Sequence, residues 1–210
     1  MTDVLITGFG PFPGMPRNPS GTIATQLAKL RRPALQHVSR ASHLFPTSYA
    51  AVDRDLSKLI AKHRPKILIM FGVAGRTKFM RVETIARNRQ SVLHPDVMGL
   101  TPRTLATTGK APSQRRGRAP FVRLQHAART TGVNARLSRD AGTYICNYVY
   151  WRALESLDKG HTPDLVVFIH VPNLRSRNRR KSRTRLLTLN QLVWASTAML
   201  IAATAYRPTR

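Results

Sequence analysis

One cysteine, Cys146, stands in the stretch Ala141-Gly142-Thr143-Tyr144-Ile145-Cys146-Asn147 of a 210-residue chain. Gly142 permits a sharp turn ahead of it. Ile145, Val149, Ala153 and Leu157 then recur at helical spacing, with Tyr148 and Leu154 widening the apolar stripe. Cys146 is therefore expected in the first turn of a helix entered from a tight loop. Unpaired N–H groups and the positive end of the helix dipole favour thiolate over thiol there. A thiol so placed is either a nucleophile or a small buried hydrophobe. A base and an orienting acid elsewhere in the chain would separate the two. His170 lies near the carboxyl end of the apolar run Asp164 to Pro172, and Glu83 sits between Val82 and Ile85 as one of only 9 acidic residues. Taken singly, a strand-end histidine reads as structural and Glu83 as a solvated salt-bridge partner.

These residues need a scaffold, and the chain alternates buried strands with amphipathic helices. Asp3 to Phe9 reads as a strand that runs into the loop Gly10-Pro11-Phe12-Pro13-Gly14. Asn18-Pro19-Ser20 caps a helix with Ile23, Leu27 and Leu30 inward. His37 to Phe45 is a weaker strand, and Ser48 starts a helix reaching His63. Lys66 to Phe71 is the clearest buried strand. It stops at Gly72-Val73-Ala74-Gly75, whose glycines fit neither a dinucleotide fingerprint nor a P-loop. Residues from Arg87 to Pro120 read as irregular, with Ser113 to Arg118 a mobile loop. Phe121 to Thr131 reads as a helix, Asn134 to Ser138 as a strand, and Leu186 to Ala205 as a final helix packed on the sheet rather than a membrane span. The alternation implies an α/β fold. It would be a three-layer α/β/α sandwich around a largely parallel sheet, in a single domain over residues 1–210.

Composition limits the function classes. One cysteine excludes an internal disulfide and points to a reducing, cytoplasmic setting, and the N-terminus lacks a signal-peptide pattern. The formal net charge of +26 attracts polyanions without sequence preference. The densest basic run, Arg175 to Arg185, reads either as a solvated loop or as a patch for nucleic acid or another polyanion. No nucleic-acid module or interleaved aromatic pattern accompanies it.

Four separated stretches combine into a resemblance. They are Thr7-Gly8-Phe9-Gly10-Pro11-Phe12 with Asn18-Pro19-Ser20, then Glu83-Thr84-Ile85-Ala86-Arg87-Asn88, the cysteine stretch, and Phe168-Ile169-His170-Val171-Pro172. In this order and at these separations they resemble the pyroglutamyl peptidase I family of cysteine peptidases, over nearly the whole chain. The resemblance implies no metal or cofactor, a Cys146-His170-Glu83 triad, and removal of an N-terminal pyroglutamyl residue from peptides. It implies that Phe9, Phe12, Thr47, Tyr144 and Ile145 line the pocket for the lactam ring. It also implies that the backbone near Val73 reads the ring's polar groups and that Asn18 supports the loop. Dimers or tetramers are implied too, which so cationic a surface opposes. The chain departs from the family pattern at Leu93, which stands where an arginine is usual, with Arg87 and Arg89 as nearby candidates to replace it. It also departs at His94, at Val73 in place of a glutamine, and at Arg76. Two other readings are a related hydrolase with a shifted substrate and a non-catalytic polyanion binder on the same scaffold.

Overall fold

Short apolar runs separated by amphipathic helices build the sheet. In the computed structural model, which describes residues 2–158, 163–174 and 187–206, the strands are β1 (Val4–Phe9), β2 (Arg40–Phe45), β3 (Ile67–Val73), β4 (Met80–Glu83), β5 (Ile85–Arg87), β6 (Gln114–Arg116), β7 (Ala135–Ser138) and β8 (Leu165–Val171). The helices are α1 (Pro19–Lys29), α2 (Tyr49–His63), α3 (Phe121–Arg129), α4 (Ile145–Asp158) and α5 (Leu189–Thr204). The main sheet runs β2-β1-β3-β8-β4-β7. Its left-hand strands are mutually parallel, β4 is antiparallel to β8, and β7 follows β4 in parallel.

Side chains alternate across this sheet with the period of two that a strand imposes. Val4, Ile6, Ile69, Phe71, Val167 and Ile169 face one layer, where Ile23, Leu27, Leu124, Leu192 and Met199 of α1, α3 and α5 cover them. Leu5, Leu68, Met70, Val166 and Phe168 face the other, under Val52 and Leu56 of α2 and Tyr148, Val149 and Trp151 of α4. The strands β1, β3 and β8 are buried on both faces, which explains their near-continuous apolar sequence. The result is the three-layer α/β/α arrangement expected from the alternation.

Some boundaries differ from the sequence pattern. The strand expected from His37 begins at Arg40, because Pro33–Leu35 forms a 3₁₀ turn ahead of it. Gln114–Arg116, expected as part of a mobile loop, pairs antiparallel with Ile85–Arg87. Its order comes from backbone hydrogen bonds and from Arg115, whose guanidinium stacks 4.1 Å from the Trp151 ring centre. Three polar residues carry no periodicity that would announce this. The final helix is shorter than its apolar run and begins after a capping box between Thr188 and Gln191. Among the described residues no helix is long and apolar enough to cross a membrane. The basic run from Arg175 to Arg185 lies outside the described residues.

The first strand and first helix touch backbone to backbone. A Cβ on Gly8 would lie 2.4 Å from the Ser20 carbonyl oxygen and 2.7 Å from its carbon. Gly8→Ala is therefore expected to destabilise the fold by about 1–3 kcal/mol or more through overpacking. Gly109, with nothing within 4 Å of its Cβ position, should tolerate alanine. Urea midpoints for the two variants check the contrast.

Candidate active site

The register of three adjacent strands sets the floor of the site. Gly72 of β3 and Arg81 of β4 both pair with His170 of β8. Residues paired across strands project to the same face, so Gly72, His170 and Arg81 form one row beneath α4. Met70, Phe168 and Glu83 form the next row on that face. Cys146 is the second residue of α4, in its first turn as expected. Its sulfur comes down over Gly72, where a Cβ would sit 2.8 Å from Sγ. Glycine at that point is what lets the thiol enter the row beside His170. The sequence reading treated Gly72 only as the end of a strand.

His170 Nδ1 lies 2.8 Å from Glu83 Oε1, with the glutamate fully buried. A buried carboxylate accepts only, so Nδ1 carries the hydrogen and donates, and Nε2 is the ring nitrogen left free of the glutamate. The same Oε1 lies 2.9 Å from Arg81 Nη2. Cys146, His170 and Arg81 line one cleft of about 280 Å³ together with Val73–Thr77 and Asp140–Tyr144. A larger cavity of about 790 Å³ opens near the amino ends of β3 and β8, between Lys66, Arg118, Phe121 and Tyr206. It contains no thiol–imidazole pair, so chemistry rather than size selects the smaller cleft. Among the described residues no group of three or more His, Cys, Asp or Glu could hold a metal ion.

Burial works against the thiolate expected from the helix terminus. Burial pushes the Cys146 thiol up to about 12, and the negative charge of Glu83 adds to the effect. The N–H groups of Cys146 and Val73 aim at the sulfur and oppose the rise, as does Arg81, but desolvation dominates.

Two buried polar residues hold the walls. Asn147 accepts from Arg87 N at 2.9 Å and donates to the carbonyls of Arg87 and Arg89 at 2.8 Å each. It clamps the start of α4 to the chain that leaves Glu83. Asp96 accepts from the backbone N–H groups of Tyr49, Met98 and Leu100. Burial alone would raise its carboxyl, but these donors and the Ser48 hydroxyl hold it below the ordinary range. Asp96 thus folds the segment after Ser91 onto the start of α2, and Tyr144 completes the wall by donating to Pro95 O at 2.7 Å. The sequence reading assigned a role to neither. A polar residue directly beside the cysteine was the available signal for Asn147, and nothing local marked Asp96.

The residues implied by the resemblance are distributed unevenly. Val73 and Tyr144 line the cleft with Cys146 and His170. Asn18 caps α1 and donates to Gly10 O at 3.0 Å, so it does brace the first loop. Phe9 and Ile145 are core residues instead of open pocket walls, because their side chains fill the layer under α2 and α4. Phe12 is half-buried in its own turn, bridged to Met15, outside the cleft lining. Thr47 is also outside that lining. Its Oγ1 and the Tyr49 hydroxyl are buried with no hydrogen-bond partner among the described residues. Leu93 is 81% exposed, and neither Arg87 nor Arg89 lines the cleft. Of the two arginines in that lining, Arg76 and Arg81, Arg81 is the one paired with His170.

Fold and cleft define a class: an α/β/α protein that gathers thiol, imidazole and carboxylate on one sheet face, as a thiol hydrolase does. The family model described as pyroglutamyl peptidase matches residues 2–206, and the chain belongs to that family. It is 30% identical to a pyrrolidone-carboxylate peptidase of Gloeobacter violaceus over 171 residues, covering 81% of this chain and 82% of that protein. It is also 30% identical to pyrrolidone-carboxylate peptidase 1 of Ralstonia nicotianae, covering 83% and 80%. Pyroglutamyl peptidase I of Bacillus amyloliquefaciens superposes with a TM-score of 0.86 at 27% identity, covering 98% of each chain. The pyrrolidone carboxyl peptidase of Thermococcus litoralis superposes at 0.89 and 27% identity, covering 98% of this chain and 94% of that one.

The thiol's environment gives a direct expectation. An ultraviolet thiolate titration, with Cys146→Ser as baseline, should show no step near about pH 8.5, where a free cysteine ionises. A step there would contradict the burial effect on Cys146.

Proposed function

We propose that this chain hydrolyses the bond between an N-terminal pyroglutamyl residue and the rest of a peptide, with Cys146 as nucleophile, His170 as general base and acid, and Glu83 as the orienting carboxylate. The observation that supports it most is the buried 2.8 Å bond from His170 to Glu83, in the sheet row over which the sulfur lies.

Glu83 holds the imidazole by Nδ1 and leaves Nε2 to take the proton of the Cys146 thiol as sulfur attacks the pyroglutamyl carbonyl. Burial holds the thiol pKa up, which favours removal of its proton as the sulfur attacks. The N–H groups of Cys146 and Val73, which favour negative charge at the sulfur, stabilise the oxyanion that forms beside it. Collapse expels the amine, which takes its proton from the imidazolium and leaves a pyroglutamyl thioester on Cys146. His170 then draws a proton from water, water attacks the thioester, and free pyroglutamate leaves as the thiol is restored.

The lactam ring is neutral and compact, with one N–H and one C=O. Tyr144 and Val73 give it an apolar surface within the cleft. The Tyr49 ring packs edge to face 6.1 Å from that of Tyr144 and backs that wall. A lone cysteine kept as a thiol suits the cytoplasm.

A pyroglutamyl-linked fluorogenic amide tests the proposal. Wild-type protein is expected to release the fluorophore and Cys146→Ala to give none above background. Glu83→Gln should lose on the order of 10³–10⁴ in kcat, as an orienting carboxylate does when neutralised. Equal release by wild type and Cys146→Ala would end the reading.

A further inference from the structure

Arg81 is unexplained by the triad, yet it lies within it. Its register pairs it with His170 across β4 and β8, and its side chain is only 19% exposed. One nitrogen, Nη2, reaches three acceptors: Glu83 Oε1 at 2.9 Å, Ser138 Oγ at 2.9 Å and the carbonyl of Asp140. Ser138 ends β7, and Asp140 belongs to the loop after it, which turns at Gly142, with φ of +83°, and delivers Cys146 into α4.

We propose that Arg81 is a positioning residue of this site, tying the Glu83 carboxylate to the loop that delivers Cys146 and tempering the negative charge that His170 meets. This rests on the roles proposed above for Cys146, His170 and Glu83.

The physical argument has two parts. First, the acid and the nucleophile come from different elements, β4 and α4, and their separation must hold to a few tenths of an ångström for the imidazole between them to serve both. All three contacts come from Nη2, and the planar, delocalised guanidinium holds that nitrogen at a fixed angle between the two elements, whereas an ammonium on a flexible stem is not so fixed. Second, an uncompensated buried carboxylate would stabilise imidazolium, and an imidazolium has no lone pair for the thiol proton. Arg81 shares the oxygen that His170 uses and offsets part of that charge. The other charged or titratable groups around the imidazole are Cys146 and Tyr150 from α4, with Tyr144, Asp140 and Arg76 at the rim. Asp140 faces Arg87 at 3.7 Å, and Tyr150 donates to the Glu83 backbone carbonyl. None of these contacts the Glu83 carboxylate among the described residues, so Arg81 is the cation that bears on it.

The test is a titration of the His170 ring by NMR, assigned through its loss in His170→Gln, beside kcat and KM against pH on a pyroglutamyl amide. In Arg81→Gln the His170 midpoint is expected to rise by about one pH unit. The acid limb of kcat/KM should move up with it, kcat should fall by roughly 10–100-fold, and KM should change by less than about threefold. Arg81→Lys keeps the charge, so the midpoint should return close to wild type while kcat stays low for want of the bridge. A folded Arg81→Gln with wild-type midpoint and kcat overturns the proposal. Should that variant fail to fold, full kcat in Arg81→Lys overturns the bridging role. The NMR titration needs no substrate. An inert wild-type protein would therefore defeat the proposed function, and the effect of Arg81→Gln on the His170 midpoint would still be read separately.

Discussion

The structure turns on a carboxylate with no access to water. Glu83 is fully buried, and an ionised carboxyl so placed is sustained only by partners that return what hydration would have given. Those partners are His170 and Arg81, both on the same oxygen. The imidazole is thereby fixed in orientation and tautomer, and the arginine is drawn toward the loop ahead of the cysteine. Remove the carboxylate and both the imidazole and the guanidinium lose the partner that holds them there.

The fold supplies this arrangement through one topological feature. Were β4 parallel to β8, its side chains would meet that strand in a different register. Running antiparallel, β4 sets Arg81 opposite His170 and Glu83 opposite Phe168. The two rows then face the first turn of α4, and the missing side chain at Gly72 leaves space for sulfur. The positions that matter come from the register and one absent Cβ. The surrounding core of Phe168, Tyr150 and Trp151 keeps that register rigid.

Much of this was legible in the sequence. The buried strands Val4–Phe9 and Leu165–Val171 declare themselves by continuous apolar residues, and the helical period after Ile145 places Cys146 in a first turn. The resemblance drew Cys146, His170 and Glu83 together. What stayed hidden depends on tertiary contact. A strand as short as Gln114–Arg116 has no period to detect. Asp96 and Asn147 act on backbone groups far along the chain, which no local pattern records. The thiol's ionisation went the other way because helix-terminal N–H groups are a local effect and desolvation is a global one. Arg81 was overlooked, although its spacing of two from Glu83 on a strand already places both on one face.

The central claim is that sulfur of Cys146 becomes the acyl carrier. Mixing the protein with an excess of a pyroglutamyl aryl ester, quenching in acid and mapping the peptides by mass spectrometry reads this directly. One pyroglutamyl group is expected on the peptide containing Cys146, and its amount should decay on a chase before quenching. Turnover of the ester with no adduct on that peptide, or with the adduct on another residue, would contradict the account.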